Sequence, residues 1–144
     1  MNGAGEKKRG RRMLVLLNHE LTAQQREDAR ASLGVGQFVF PPEDLRHAWA
    51  NVPPDVERLD DYLAPLLAWL EGNSNAGDLL LVQGEFGATY HVVRFARSRG
   101  LRPVYSTTRR QAVDVVGPDG TVTTRREFRH VRFRLYDAGQ ESES

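Results

Sequence analysis

The chain has no cysteine, and no uninterrupted apolar run in it is long. The absence of cysteine excludes disulfides and thiolate metal sites, and it favours a reducing compartment. No apolar run approaches the roughly 20 residues that a membrane-spanning helix needs. The apolar stretch 13–17, which follows the basic N-terminus, is too short to be the core of a signal peptide. We therefore predict a cytoplasmic protein without a membrane partner.

Lysine is also scarce, because Lys7 and Lys8 are the only two in the chain. A phosphate-binding P-loop needs a lysine at the end of its glycine-rich turn, and no lysine follows Lys8. The pair Gly84 and Gly87 does not form the GxGxxG pattern of dinucleotide-binding domains. The sequence therefore argues against kinase, GTPase and NAD-dependent dehydrogenase functions, and no cofactor is expected.

The small net charge of +1 conceals two regions of opposite charge. Residues 13–93 contain four arginines and 12 carboxylates, whereas residues 94–134 contain 11 arginines and three carboxylates. An excess of arginine indicates a polyanionic or phosphate-rich ligand. The alternative is that the two regions neutralise each other across the fold or between subunits.

The hydrophobic patterns predict alternating strands and helices followed by a β-rich end. Continuous apolar runs such as Leu79–Val82 are typical of strands buried on both faces of a parallel sheet. Thr22 and Gln25 form a capping-box pattern for a helix that stops at Gly34. The predicted strands are 13–17, 37–40, 78–82, 102–106, 111–116, 121–125 and 128–135. The predicted helices are 22–33, 43–50, 56–70 and 88–99.

These elements predict a single Rossmann-like α/β domain over residues 13–136, with a mostly parallel central sheet and a C-terminal antiparallel β-hairpin extension. Residues 1–12 are predicted to be a disordered basic arm, and residues 137–144 a disordered acidic tail. Pro65 is expected to kink or split the third helix. Alternation in the last strand predicts one face with Val131, Phe133 and Leu135, and an opposite face with His130, Arg132 and Arg134.

Polar side chains follow three of the predicted strands, at the sheet edge where open α/β folds bind ligands. Asn18 and His19 follow the first of these strands. The full set of ligand-binding candidates is Asn18, Gln83, Gly84, Glu85, Phe86, Gly87, Ala88, Tyr90, Ser106, Thr107, Thr108 and Arg110. Amides, hydroxyls and guanidiniums in one crevice suit a phosphodiester ligand, because they supply forked and single donors to phosphate oxygens.

The segment 84–89 lies between a predicted strand and a predicted helix. Backbone N–H groups point outward at such a turn, and the helix dipole favours negative charge, so the segment is a candidate anion site. The alternative is a turn with a purely structural role.

The histidines show no spacing typical of metal ligation, so no metal site is expected. His47 and His91 are expected on helix surfaces. For His19, a contact with a ligand and a structural hydrogen bond are equally acceptable explanations. His130 is assigned to the polar face of the last strand, with a structural role favoured slightly.

Five segments resemble a small accessory family of type III CRISPR systems, which is related to the CARF (CRISPR-associated Rossmann fold) group. They are Asn18-His19-x-Leu21-Thr22, Gly77-Asp78, Val82-Gln83-Gly84-Glu85-Phe86-Gly87-Ala88-Thr89-Tyr90, Tyr105-Ser106-Thr107-Thr108-Arg109 and Phe128-x-His130-Val131-x-Phe133-Arg134. The resemblance covers about residues 13–136. It implies a CARF-like homodimer that acts as a stand-alone ring nuclease, cleaving the cyclic oligoadenylate messenger of type III CRISPR signalling, with no DNA partner.

The expected substrate is cyclic tetra-adenylate, cleaved without metal by attack of the ribose 2′-OH on the adjacent phosphorus. The expected catalytic residues are His19, which transfers a proton, Arg109, which holds the phosphate, and Thr89, which positions the ring. Backbone N–H groups of residues 87–89 are expected to hold the phosphate as well. Two alternatives remain: a non-catalytic module that binds or senses the cyclic nucleotide, and a general RNA-binding protein that uses the arginine-rich region.

Overall fold

A five-stranded sheet with helices on both faces forms the body of the protein, of which the computed structural model describes residues 10–136. The strands are β1 (Arg11–Leu16), β2 (Val35–Val39), β3 (Leu79–Val82), β4 (Arg102–Val116) and β5 (Val122–Leu135). The helices are α1 (Ala23–Leu33), α2 (Glu43–Ala50), α3 (Asp60–Asn73) and α4 (Phe86–Ser98).

The sheet has the strand order β2-β1-β3-β4-β5. The pairs β1–β2, β1–β3 and β3–β4 are parallel, and only β4–β5 is antiparallel. The predicted α/β class, with a mostly parallel sheet and a C-terminal antiparallel hairpin, is therefore confirmed. Because β1 pairs in parallel with both β2 and β3, the carboxyl ends of these three strands lie at one edge of the sheet, which we call the carboxyl edge.

Both faces of the sheet are buried, which explains why β1 and β3 are apolar at every central position. Met13 and Val15 of β1 belong to the apolar cluster that contains Ala29 of α1. Leu14 and Leu16 belong to the opposite cluster, which α2, α3 and α4 cover. A strand that must fill two cores cannot alternate between apolar and polar residues.

The first helix confirms the sequence prediction in detail. Thr22 is the N-cap of α1, and its hydroxyl accepts a hydrogen bond from the backbone N–H of Gln25 at 3.1 Å. The Gln25 side chain in turn accepts from the backbone N–H of Thr22 at 3.0 Å. Gly34 ends the helix with φ of 68°, a left-handed conformation that glycine adopts without steric cost.

Strand β1 begins at Arg11, two residues before its predicted start. The Arg12 guanidinium donates to the Asp78 carboxylate at 2.8 Å and to the carbonyl of Asn73 at 2.9 Å. These bonds fasten the start of β1 to the residues before β3. Arg11 and Arg12, which were predicted to belong to a disordered arm, are therefore part of a strand. The disorder predicted for the rest of the basic arm and for the acidic tail concerns residues 1–9 and 137–144, which lie outside the described residues.

The third helix departs from its prediction at its start, and it is not split at Pro65. Helix α3 begins at Asp60, so Val56 precedes it and is 42% exposed. The helix is not split, because it continues through Pro65 to Asn73. Proline removes the donor to the carbonyl of Asp61, but Asp61 is exposed, so water can solvate that carbonyl.

The four predicted strands of the last third merge into two long ones, and the alternation predicted for β5 is wrong at His130. Thr107 pairs with Arg132 but Thr108 pairs with His130, so the ladder shifts its register at Val131. This shift turns His130 to the face of Phe133, and their rings lie 4.5 Å apart.

Among the helices of residues 10–136, none combines the length and apolar character needed to cross a bilayer.

Candidate functional site

A cleft with a volume of about 530 Å³ lies at the carboxyl ends of β1 and β2. The loop after β1, the first turns of α1, the residues after β2 and one side of α2 form its walls. The polar and aromatic residues that line it are Asn18, His19, Glu20, Arg26, Phe40, Glu43, Arg46, His47 and Trp49. Its volume falls in the range of about 300–1,000 Å³ that is typical of small-molecule sites.

His19 is exposed in the wall of this cleft, and its ring is held by one hydrogen bond. The Nδ1 atom lies 2.7 Å from the backbone carbonyl oxygen of Glu20. A carbonyl oxygen only accepts, so Nδ1 carries the proton and donates it to this bond. In the neutral ring, Nε2 is then left without a proton and is able to accept one.

Two guanidiniums and two carboxylates share the cleft with His19. Arg26 of α1 lies 4.9 Å from the ring centroid of Phe38 and 5.9 Å from that of Phe40, so aromatic rings support its guanidinium. Arg46 of α2 is exposed, as is Glu43 one turn earlier. The sequence prediction missed Arg26 and Arg46 because it considered only strand ends, whereas both arginines lie in helices that begin near this edge.

Gln83 connects three elements beside the cleft. Its backbone N–H donates to Leu16 of β1 at 3.0 Å, and its side-chain Oε1 accepts from the backbone N–H of Ser106 at 2.8 Å. Its carbonyl accepts from the indole Nε1 of Trp49 at 3.0 Å. These bonds use the backbone groups and the side-chain oxygen of Gln83 for structure. The predicted ligand contact of Gln83 is therefore limited to its amide nitrogen.

Gly84 is needed because the Trp49 ring lies directly against it. A Cβ atom built on Gly84 would approach three ring atoms of Trp49 at 2.8 Å. Trp49 is 1% exposed, so its ring could not move away without disturbing the core around it. Glycine is therefore required at position 84 by the packing of Trp49.

The substitution Gly84→Ala is expected to destabilise the fold by about 1–3 kcal/mol, because it overpacks a filled core. Urea unfolding followed by circular dichroism measures this loss. The matched control is Gly87→Ala, where the new methyl group meets only ordinary contacts, of which the closest is 3.4 Å. Equal stability of the two variants would contradict the packing explanation.

Two backbone N–H groups in the first turn of α4 already have hydrogen-bond acceptors within the protein. Glu85 is the N-cap, and its carboxylate accepts from the backbone N–H of Ala88 at 2.8 Å. The backbone N–H of Thr89 donates to the Glu85 carbonyl, also at 2.8 Å. The expectation that the N–H groups of residues 87–89 hold a phosphate is therefore wrong for Ala88 and Thr89. The sequence signal was ambiguous because glutamate at an N-cap neutralises the same donors that an anion would use.

The remaining candidates on α4 divide between its buried and exposed sides. The Thr89 hydroxyl oxygen is enclosed by protein and has no hydrogen-bond partner. Phe86 is 93% exposed and Tyr90 is 63% exposed on the outer side of the helix, where Arg94 lies 5.6 Å from the Tyr90 ring. None of these side chains lines the cleft around His19.

Ser106 belongs to a buried relay with His130 and Asp28, which the sequence prediction did not foresee. The Ser106 hydroxyl lies 2.5 Å from Nδ1 of His130, and Nε2 of His130 lies 2.7 Å from the Asp28 carboxylate. Because a carboxylate only accepts, Nε2 donates to Asp28, and in the neutral ring Nδ1 accepts the Ser106 proton. The His130 side chain is 4% exposed. The Ser106 hydroxyl therefore takes part in bonds that link β4, β5 and α1.

The surroundings of Asp28 favour its ionised carboxylate over its protonated form. Burial raises the pKa of Asp28, but hydrogen bonds from Ser32 and His130 and electrostatic attraction by His130 and Arg132 together lower it below its ordinary value. A carboxyl group with a lowered pKa stabilises the fold above its unfolded pKa of about 4. That stabilisation is lost as the pH falls through the lower, folded pKa.

The substitution Asp28→Ala is expected to cost about 1–3 kcal/mol at pH 7, because it leaves the His130 Nε2–H donor without its partner. The cost should shrink toward pH 3, where protonation weakens the wild-type interaction as well. Urea unfolding at pH 7, 5 and 3 measures both effects, with the exposed variant Glu27→Ala on the same helix as control. A cost that is the same at every pH would refute the assigned carboxylate role.

The other predicted residues on β4 come after Ser106, where the strand extends beyond its pairing with β3. The Thr107 hydroxyl donates to the carbonyl of Arg132 at 3.0 Å, and Arg110 lies 5.6 Å from the Phe128 ring. Thr108 and Arg109 are exposed. The structure thus places Asn18 and His19 together in the cleft, but it does not place Arg109 or Thr89 there. Over residues 10–136, no group of three or more metal-ligating side chains is close enough to hold an ion.

Comparison with known proteins gives one family and one relative. A sequence-family model described as "Uncharacterized protein MJ1673 family" matches residues 11–134. The chain is 45% identical over 126 residues to "Uncharacterized protein MJ1673" of Methanocaldococcus jannaschii, covering 88% of this chain and 97% of that protein. No solved structure matches the chain.

Proposed function

The chain belongs to the MJ1673 family, and we propose that it is a ring nuclease that binds cyclic oligoadenylate, foremost cyclic tetra-adenylate, and cleaves it without a metal ion. The segments around Asn18-His19 and Gln83–Tyr90, which resemble the CARF-related accessory family, support this proposal. The fold supports it at a coarser level. The strand order β2-β1-β3-β4 also occurs in doubly wound α/β sheets of the flavodoxin-like order, which bind ligands at the carboxyl edge.

The observation that carries the proposal is the position of His19 in the cleft with two guanidiniums. A phosphodiester ligand needs positive groups for its phosphates and a proton acceptor for its reacting hydroxyl. Arg26, Arg46 and the free Nε2 of His19 supply these groups within one cleft. Phe40, which is 39% exposed, offers a ring face against which a base can stack.

The proposed reaction is an in-line transfer at phosphorus. The ribose 2′-oxygen forms a bond to the adjacent phosphorus, Nε2 of His19 takes the 2′-OH proton, and the bond from phosphorus to the 5′-oxygen breaks. The 5′-oxygen takes up a proton from water and His19 returns its proton to solvent, so the products are linear and end in a 2′,3′-cyclic phosphate and a 5′-hydroxyl. Arg26 and Arg46 stabilise the charge that develops on the phosphorane. They take the role first expected of Arg109, and Thr89 takes no part because its hydroxyl is enclosed.

Incubation of the protein with cyclic tetra-adenylate in EDTA tests the proposal directly. Chromatography with mass detection should show linear products that carry the cyclic phosphate end. An intact ring after incubation with stoichiometric enzyme would reject the nuclease activity. Recovery of that intact ring from a tight complex would instead favour a module that sequesters or senses the messenger.

A further inference from the structure

The β4–β5 hairpin extends far beyond the sheet from which it grows. β4 pairs with β3 only over Arg102–Val104, whereas it pairs with β5 as far as Val116. We call residues 107–132 the arm. Each of its strands has about ten residues beyond the sheet, a length of about 33 Å at ~3.3 Å per residue. At its root the arm is fixed to α1 by the bond from His130 to Asp28, but none of residues 107–129 is buried. An isolated two-stranded ribbon is marginally stable in water, so this outer part of the arm needs a further packing partner.

The surface of the arm combines positive charge with exposed apolar side chains. It contains six arginines and three carboxylates. Val116 and Val122 face each other next to the turn and are 68% and 58% exposed. Phe128 is 67% exposed and Val131 is 43% exposed nearer the root. An apolar tip with arginines behind it is typical of a surface that docks on a protein.

A complementary surface lies on the body of the same chain, in residues 43–61, which we call the acidic segment. It contains six carboxylates and two arginines. All six carboxylates are exposed: Glu43, Asp44, Asp55, Glu57, Asp60 and Asp61. Val56, 42% exposed, is an apolar residue in the middle of this acidic surface. The acidic segment is therefore matched to the arm in both charge and apolar character.

The acidic segment also lies at the edge from which the arm projects. Glu43 lines the cleft at the carboxyl ends of the strands. The far end of α3 is near the opposite edge, because Arg12 at the start of β1 donates to the Asn73 carbonyl. Asp60, at the other end of this 14-residue helix, is about 20 Å away at ~1.5 Å per residue, which places it toward the carboxyl edge. The Tyr62 hydroxyl donates to the Ala48 carbonyl at 2.6 Å and holds α3 against α2.

We propose that the arm docks on the acidic segment of a second copy of this chain. Two copies with their carboxyl edges facing each other allow each arm to lie across the other copy's acidic segment. Such a two-fold arrangement uses the same pair of surfaces twice and closes without further growth. It gives the ribbon its missing partner and neutralises the two oppositely charged regions of the sequence.

A nucleic acid is a weaker fit to the arm. Asp114, Asp119 and Glu127 lie along it and would repel phosphates. Glu127 also engages two of the arginines, with Arg125 at 2.8 Å and Arg129 at 3.8 Å. The valines near the turn offer no aromatic surface on which bases could stack. These features favour a protein surface that carries carboxylates and an apolar patch.

Analytical ultracentrifugation of the full-length protein at low ionic strength tests this interface. Wild type should sediment as a dimer. The arm variant Arg125→Glu/Arg126→Glu and the body variant Asp55→Arg/Glu57→Arg should each dissociate at least tenfold more readily. Combining all four substitutions in one chain should restore the dimer, because the charges are then exchanged. The control Arg94→Glu/Arg102→Glu carries the same charge change as the arm variant and should leave the dimer intact.

Circular dichroism melting of every variant distinguishes a lost interface from a lost fold, because all six substituted positions are exposed. A monomeric wild type, or an arm variant that dimerises as well as wild type, would overturn the proposal. Tight binding of a linear RNA 20-mer by a monomeric wild type would overturn it in favour of a nucleic-acid surface. None of these outcomes depends on the ring nuclease activity, which is assayed separately.

Discussion

Replacing His19 with alanine is expected to slow cleavage of cyclic tetra-adenylate by about 10²–10⁴-fold, the usual cost of losing a well-placed general acid or base. The reason is that Nδ1 of His19 is bonded to the Glu20 carbonyl, which leaves Nε2 free to take the 2′-OH proton. Single-turnover rates with enzyme in excess measure the chemical step without interference from product release. Binding of the intact ring should change little, because the arginines of the cleft remain.

The matched control for His19→Ala is His47→Ala in the same cleft. The His47 ring lies 3.5 Å from the Asn51 side chain on the exposed side of α2, and the proposed mechanism gives it no proton to transfer. We expect the His47 variant to retain its rate within about threefold, well below the change expected of a general base. A His19 variant with full activity would remove this histidine from the mechanism while leaving ring binding to be tested.

Replacing Trp49 with alanine is expected to destabilise the fold by about 3–5 kcal/mol, the usual cost of truncating a buried tryptophan. Trp49 is 1% exposed, packs against Gly84 and donates a hydrogen bond to the Gln83 carbonyl. Its loss therefore opens a cavity and leaves a buried acceptor without its donor. Urea unfolding monitored by circular dichroism gives the change in free energy.

The variant Trp49→Phe separates the two contributions of this side chain. Phenylalanine keeps much of the packing but cannot donate to Gln83, so we expect a smaller loss of about 1–3 kcal/mol. If Trp49→Ala and Trp49→Phe were equally stable, the hydrogen bond alone would account for the effect. If neither substitution changed stability, the cleft wall would not depend on Trp49 as described.

The local elements of this fold follow from short-range patterns, which is why their prediction succeeded. The capping box of Thr22 and Gln25 and the stop at Gly34 are complete within one segment, and helix α1 has these ends. The turn at residues 117–120 and the flanking β-rich runs likewise specify a hairpin locally. The register shift at Val131 depends on pairing across the hairpin, so alternation within one strand missed it.

The candidate site could be predicted only in part, because its walls come from distant segments. The strand-end rule found Asn18 and His19, which do line the cleft. Arg26 and Arg46 lie one turn or more into helices, where solvent-facing arginines are common and carry no distinctive pattern. The role of Gly84 also depends on a long-range contact, since Trp49 is 35 positions earlier in the chain.

The glycine-bearing turn before α4 illustrates how one pattern supports two chemistries. A strand, a turn and a helix start can bind an anion, but they can equally be capped by the protein's own carboxylate. Here Glu85 caps the helix and uses the Ala88 donor. The distinction depends on the rotamer of a single glutamate, and the sequence does not encode that rotamer in any recognisable pattern.

The central claim is that the cleft at the carboxyl ends of β1 and β2 holds the cyclic nucleotide. Isothermal titration of cyclic tetra-adenylate into the His19→Ala protein measures this binding without cleavage. Adding Arg26→Ala and Arg46→Ala should weaken the affinity by at least about tenfold, since each removes a charge-assisted contact to phosphate. Unchanged affinity in that triple variant, or no binding to the His19→Ala protein, would contradict the account.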